Sequence, residues 1–269
     1  MVYVKLTTEN DTHNGYQYKE GLNCLNGEFN NEKKCGSGGL YFCREEDIGK
    51  WTWYNGKQMH YIWDIELCED SKIIDMGNKL KTDKFILSNK RSIWNNEEFC
   101  KLAVQKNGNA LKYVKPEFMS YEICKLAVQQ DYNLLHYIKE QTEEICKLAV
   151  QRDGYALIHV KKQTEELCKL AVQQNGEALY YVEPELRSYE ICKLAVQKYG
   201  FALRYVPQEL MNEEICKLAV QQNGNALLYV KNELMNEEIC KLALQQNVYA
   251  LHYVKPEFRT PELLKLINK

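Results

Sequence analysis

Cysteine is the residue of this 269-residue chain whose spacing first suggests chemistry. Of its eleven cysteines, seven (Cys100, Cys124, Cys146, Cys168, Cys192, Cys216 and Cys240) follow one another at intervals of 24, 22, 22, 24, 24 and 24 residues. A ladder of thiols could hold metal or carry redox traffic. Metal sites, however, draw on close pairs such as Cys-x-x-Cys with converging partners, and this sequence has none. Each of the seven stands in the phrase Glu-(Ile/Leu/Phe)-Cys-Lys-Leu-Ala-(Val/Leu)-Gln, where reduced thiols serve as small core residues. The other four, Cys24, Cys35, Cys43 and Cys68, could bind zinc with His13 and His60, but their wide, irregular spacing argues against it, and no metal or cofactor is expected.

Two further ladders run in step. Lys101, Lys125, Lys147, Lys169, Lys193, Lys217, Lys241 and Lys265 could meet phosphates, yet each has a glutamate three residues earlier, Glu98 to Glu262, as a helical i,i+3 pair. With a net charge of -2, the reading is a solvated, paired face and no nucleic-acid partner. Tyr113, Tyr137, Tyr181, Tyr205, Tyr229 and Tyr253, with His159 in the same register, read as a spine of rings packed between repeats. Two registers vary instead of repeating. One is Lys112, His136, Ile158, Tyr180, Arg204, Leu228 and His252. The other is Asn109, Asn133, Tyr155, Glu177, Phe201, Asn225 and Tyr249. Positions that change charge, size and polarity while their neighbours stay constant are candidates for contact with a protein partner, with Tyr and Arg as anchors. Neutral drift at surface positions is the competing reading.

The elements that position these ladders follow from the same phrase. Ile215, Cys216, Leu218, Ala219 and Val220 place apolar groups at i, i+1, i+3, i+4 and i+5, a wide helical stripe suited to a helix touched on several sides. Ser120, Thr142, Thr164, Ser188, Asn212 and Asn236 are N-caps. Gly108, Gly154, Gly176, Gly200 and Gly224 read as left-handed C-caps, and Asn247 is expected to take that conformation where Val248 replaces the glycine. A second helix of about two turns follows, too short to stand alone in water. One pair of helices leaves apolar surface that only a neighbour covers, so the units must stack. Thr260 to Ile267 align with Asn236 to Ala243 and no second helix follows, which marks a terminal half-repeat. The fold class expected is mostly α: a solenoid of about seven two-helix repeats of 22–24 residues with a capping helix over residues 94–269, preceded by a small α+β domain over residues 1–93. In that first part, strands are expected at 2–6, 39–43, 59–67, 72–76 and 84–87, a helix at 45–53, and a short junction at Trp94-Asn95-Asn96 that packs against the first repeat.

The motif Glu-Ile-Cys-Lys-Leu-Ala-Val-Gln-x-Asn-Gly-x-Ala-Leu-x-Tyr-Val, repeated through residues 96–258, resembles a short repeat family of unknown function found in proteins of amoeba-infecting giant DNA viruses and some intracellular bacteria. The resemblance implies an α-solenoid and no activity. Asn14-Gly15-Tyr16-Gln17-Tyr18-Lys19-Glu20-Gly21-Leu22-Asn23, then Gly38-Gly39-Leu40-Tyr41-Phe42 and Thr82-Asp83-Lys84, resemble the domain that precedes repeats in many giant-virus proteins. His13-Asn14-Gly15 with Gly38-Gly39-Leu40-Tyr41-Phe42 also resembles the layout of ADP-ribosyltransferases, in which a His-Gly pair holds NAD and a Gly-x-Tyr-Phe strand stacks on nicotinamide. Here Asn14 interrupts the pair and no catalytic glutamate is placed. The expected function is a non-catalytic protein-interaction scaffold, of viral type, in host cytoplasm or in the particle. The alternative is an NAD-dependent transferase in front with the repeats as targeting arm. No apolar run reaches the roughly 20 residues of a membrane helix, so no membrane partner is expected, while self-association through a solenoid end or face stays open.

Overall fold

The computed structural model of the protein describes residues 2–33 and 38–266. They group into two compact units, Met1–Tyr137 and Ile138–Lys269. The first unit begins with β1 (Tyr3–Thr7), β2 (Thr12–His13), β3 (Tyr16–Gln17), β4 (Gly21–Cys24), β5 (Leu40–Arg44), β6 (Trp53–Tyr54), β7 (Lys57–Gln58), β8 (Tyr61–Glu66), β9 (Ile73–Asp75), β10 (Leu80–Thr82) and β11 (Lys84–Ser92). Seven of these form one antiparallel sheet in the order β4-β11-β8-β1-β5-β10-β9, and β2-β3 and β6-β7 are separate hairpins. The pairing of Lys5 with Trp63 and of Leu80 with Phe42 puts one face of alternating residues against a core of Tyr18, Leu40, Phe42, Trp63, Leu80, Phe85 and Leu87.

The five expected strands are present within one to two residues, except that β11 runs to Ser92, beyond the expected end at 87. The expected helix at 45–53 is a correction: Glu45–Lys50 is a 3-10 helix closed by the Trp51 amide on the Ile48 carbonyl. It lies close to α1 (Glu97–Lys106), where a Cβ on Gly49 would come 3.1 Å from the Leu102 side chain. The junction packs as its shortness implied. Trp94 stacks on Tyr113 with centroids 5.3 Å apart, and His60 from the sheet side meets both rings at 5.7 and 4.7 Å. The first unit also contains α2 (Tyr121–Gln130).

The second unit carries α3 (Glu143–Arg152), α4 (Glu165–Gln174), α5 (Tyr189–Lys198), α6 (Glu213–Gln222), α7 (Glu237–Gln246) and α8 (Pro261–Leu264), and from α4 onward each packs beside its predecessor in chain order. Most of their apolar stripe is buried as read: Ile215, Cys216, Ala219 and Val220 are fully inside, as are their counterparts in α5, while Leu218 is half-buried. The caps hold too. The side chains of Asn96, Thr142, Thr164, Ser188, Asn212, Asn236 and Thr260 accept the amide three residues on, while Ser120 makes no such bond. Pro261 sits in the first helical turn of α8, and Ile267 lies outside the described residues.

The second element of each repeat is a six-residue 3-10 helix, as in Gly176–Tyr181. Asn107, Asp153, Asn175, Asn223 and Asn247 start it by accepting the amide two residues on, a tight turn that favours three residues per turn over 3.6. The glycines are a second correction. Those of the repeats do not have positive φ, and Asn247 sits at φ -151°. They are small because the next helix leans on them. A Cβ on Gly154, Gly176, Gly200 or Gly224 would stand 2.4, 2.4, 2.5 or 2.3 Å from the carbonyl oxygen of Ala171, Ala195, Ala219 or Ala243. Val248 is accommodated because its side chain faces solvent, 45% exposed.

Candidate functional site

The two variable registers lie three residues apart on the 3-10 helices, so within each repeat they eclipse one another along one edge. Lys112 and His136 in the first unit, and Ile158, Tyr180, Arg204, Leu228 and His252 in the second, are all exposed. Ile158, Tyr180 and Leu228 leave more than half of their surface in water, which is unusual for three apolar side chains at one structural position. The second register divides. Asn109, Asn133 and Tyr249 are exposed, but Tyr155, Glu177, Phe201 and Asn225 are half-buried between repeats. The Tyr155 hydroxyl donates to Glu177, and the Arg204 guanidinium reaches the same carboxylate at 3.2 Å, linking three successive repeats. The Phe201 ring meets Tyr229 at 6.0 Å, Tyr155 meets Tyr181 at 5.9 Å and Tyr180 meets Tyr205 at 5.0 Å. Tyr181, Tyr205 and Tyr229 are therefore packed by residues of the variable registers in the repeat before each, whereas Tyr137 and Tyr253 of the same ladder are exposed.

Four of the eight ladder lysines, Lys147, Lys169, Lys193 and Lys217, are paired with glutamates, though not in the i,i+3 manner expected. Lys147, Lys169 and Lys217 reach the glutamate four residues earlier, Glu143, Glu165 and Glu213, at 3.1, 2.7 and 2.8 Å. Lys147, Lys193 and Lys217 also reach Glu166, Glu214 and Glu238 of the following repeat at 2.9, 2.7 and 2.6 Å. The i,i+3 glutamates are thus spent across the repeat boundary, because the stacked helices bring them nearer the previous lysine. The cysteines of the ladder are at most 4% exposed. Burial pushes the thiols of Cys100, Cys168, Cys192, Cys216 and Cys240 up to about 11, so they stay protonated and are poor nucleophiles.

Glutamine does work between repeats that the sequence reading missed. The side chains of Gln130, Gln222 and Gln246 accept the amides of Gly108, Gly200 and Gly224 in the preceding repeat at 2.7, 2.6 and 2.6 Å. In the two 22-residue links, Gln141 and Gln163 donate to the carbonyls of His159 and Tyr181 and accept the amides of Lys161 and Glu183. The 24-residue repeats carry an apolar residue in that loop instead, Phe118, Leu186, Leu210, Leu234 or Phe258.

The first unit holds a separate feature, a cleft of about 590 Å³. Two hairpins supply its rim. Asn14-Gly15 and Asn55-Gly56 all have positive φ, the two-residue turn that matches strand twist. His13, Tyr41, Tyr54 and Lys79 line both this cleft and a recess of about 30 Å³ at its base, where Lys5 is fully buried. The Lys5 ammonium donates to the Tyr41 carbonyl and to Nδ1 of His13, both at 2.7 Å, and lies 4.4 Å from the Tyr18 ring centre. Burial drives its pKa down to about 7 and that of His13 down to about 3, Lys5 adding to the second effect. The Lys79 ammonium stands over the rings of Tyr41, Trp51 and Tyr54 at 4.9, 5.0 and 5.8 Å. The segments of the transferase-like layout, His13-Asn14-Gly15 and Gly38 to Tyr41, meet in this cleft, and among the described residues no carboxylate lines it. The residues considered for zinc are dispersed. Cys43 is buried with its thiol pushed up to about 12, Cys24 is exposed, and His60 accepts from Trp94. Cys35 lies outside the described residues, among which no group of three metal-ligating side chains occurs.

A family model described as Domain of unknown function (DUF4116) matches residues 96–142, 142–187, 164–211, 188–235 and 212–259. The chain belongs to this family. A single DUF4116 match spans two of the repeats described above, in keeping with a unit that cannot cover its own apolar flank. The chain is similar to an uncharacterized protein, R869, of Acanthamoeba polyphaga mimivirus, 53% identical over 49 residues, 18% of this chain and 36% of the relative. It is also similar to a putative ankyrin repeat protein, R868, of the same virus, 30% identical over 99 residues, 34% of this chain and 47% of the relative. The matches thus span less than half of either curated relative. No solved structure matches. The likeness to giant-virus repeat proteins read from the motif is therefore shown, although the DUF4116 repeat here, at 22–24 residues, is shorter than the roughly 33 of an ankyrin unit. Among the described residues, no helix is long and apolar enough to cross a membrane.

Proposed function

We propose that the DUF4116 repeats are a scaffold for a protein partner, held through the exposed edge of their 3-10 helices, and that the protein acts in host cytoplasm or within a viral particle. One observation carries this reading: Ile158, Tyr180, Arg204, Leu228 and His252 occupy one exposed position in five consecutive repeats and differ in every one. Surface presented at constant geometry with changing chemistry is what a recognition edge requires, and the tyrosine and arginine are typical anchors. Tyr155, Glu177, Phe201 and Tyr249 flank that edge, and in the first unit Lys112 and His136 hold the same position in their own repeats. The likeness to a relative named as an ankyrin repeat protein supports the general class. The test is affinity capture from amoebal lysate with the wild type and with Tyr180→Ala/Arg204→Glu/Leu228→Asp. Loss of a captured protein in the triple variant is expected, and an unchanged capture profile removes this edge as the site.

A second reading is favoured by the meeting of His13-Asn14-Gly15 and Gly38 to Tyr41 in one cleft: an NAD-dependent transferase in front, targeted by the repeats. Incubation with labelled NAD should then release nicotinamide. No hydrolysis and no label on protein disposes of it.

A further inference from the structure

The two short links of the second unit differ from the longer ones by more than length. Each of the five longer links carries a glutamate followed by phenylalanine or leucine: Glu117-Phe118, Glu185-Leu186, Glu209-Leu210, Glu233-Leu234 and Glu257-Phe258. In all five the glutamate is exposed and the apolar residue half-buried. The short links, Lys139-Glu140-Gln141 and Lys161-Lys162-Gln163, lack the pair. Between them lies a depression of about 320 Å³, the lower end of what a ligand needs. Its floor is half-buried Gln141 and Thr164 over buried Cys146 and Leu167, and its rim is the exposed Lys139, Lys161 and Lys162. The polar atoms of the floor are already engaged: Thr164 caps α4, and Gln141 bonds the His159 carbonyl and the Lys161 amide. What remains to meet an occupant is chiefly carbon, extended by the lysine stems. The charge around it is positive. Glu140 does not line the depression, and Glu143, which does, is held 3.1 Å from the Lys147 ammonium. The Lys161 ammonium donates to the Lys139 carbonyl at 2.9 Å and has two further hydrogens. Lys139 and Lys162 have no ion-pair partner among the described residues. Three cations around an apolar floor complement a carboxylate beside a branched or aromatic side chain, the pair that the longer links carry themselves.

We propose that this depression docks a linear segment of a protein partner in which an acidic residue is followed by leucine or phenylalanine. The carboxylate lies among Lys139, Lys161 and Lys162, and the apolar side chain rests on the floor. Glu140, Glu144, Glu165 and Glu166 on the flanking surface disfavour a nucleic-acid backbone, whose negative charges follow one another without a gap. The site is built from the links and not from the 3-10 edge, so it stands or falls independently of what that edge binds.

The experiment is an NMR titration of the full, isotope-labelled chain with the capped tetrapeptide Glu-Pro-Glu-Leu, the sequence of residues 183–186. Saturable shifts are expected at residues 139–143 and 161–167, with a Kd of about 1 mM or tighter. The peptides Gln-Pro-Gln-Leu, without charge, and Glu-Pro-Glu-Ala, without the apolar branch, should each bind at least about fivefold more weakly. Lys139→Glu/Lys162→Glu should abolish the shifts. Both side chains are exposed, so the circular-dichroism melt of that variant should match the wild type. Absence of saturable shifts at about 10 mM peptide overturns the proposal. So does equal binding of the glutamine peptide, shifts confined to the 3-10 edge, or wild-type affinity in the double variant. Tighter binding of a thymidine dodecanucleotide at the same residues also overturns it, in favour of a general polyanion site.

Discussion

Lys5 is the residue whose environment departs furthest from what its type suggests. A lysine between Val4 and Leu6 on a strand reads as the solvent-facing member of an alternating pattern. Here that side of the sheet is covered by Tyr18 and the hairpins, and the ammonium is buried. Its pKa falls from 10.5 to about 7 in the folded chain. Between those values the unfolded state binds the extra proton, so stability rises with pH across that window, by up to roughly 1.4 kcal/mol per unit from this group, and the loss is complete below it. Urea unfolding of the wild type and Lys5→Met at pH 7 and pH 9.5 should show a first-unit transition that strengthens with pH in the wild type and a flatter response in the variant. Equal slopes would contradict the burial. The cysteines were legible at this scale because their helical surroundings are local. Lys5, Lys79 and the bridging glutamines were not, because what they touch lies on other elements.

At the scale of the element, α3 to α7 could be read from their period and caps, both encoded within ten residues. The 3-10 character of the six-residue partners could not, since two turns of apolar and polar residues fit either helix. The glycines misled for a related reason. A glycine after a helix usually takes the left-handed region, whereas here the next repeat's alanine carbonyl decides. Gly176→Ala should therefore cost about 1–3 kcal/mol by overpacking, read from the urea midpoint of the second unit. Val248→Ala, on an exposed side chain, should move it by less than about 0.5 kcal/mol. If both behave alike, the close approach to Ala195 is not what selects glycine. Gln163→Ala should cost roughly 1–3 kcal/mol, since the Tyr181 carbonyl and Glu183 amide lose their partner together.

At the scale of the molecule, the bonds described above run from one repeat to the next: glutamine to glycine amide, lysine to glutamate, ring to ring. Stability should then behave as a sum of repeat and neighbour contributions. Removing residues 188–211 joins Arg187 to Asn212, one cap position replacing another, and lets Arg187 meet the Tyr229 carbonyl as it now meets that of Tyr205. The shortened chain is expected to fold with unchanged helicity per residue and a lower midpoint, by circular dichroism with urea. Loss of all cooperative unfolding would refute nearest-neighbour stacking. The alternation of sheet-rich and helical regions was visible in the sequence, where the motif starts. The sheet order was not, because β1 pairs with partners some 40 and 60 residues away.

The three-residue turn has one more consequence. It sends glycine and leucine inward at fixed places and leaves the residue at 158, 180, 204, 228 and 252 outside every inter-repeat glutamine and glycine bond. Substitution at 158, 228 and 252, which make none of the inter-repeat bonds described, should cost folding little, so related chains should diverge there first and in the buried columns last.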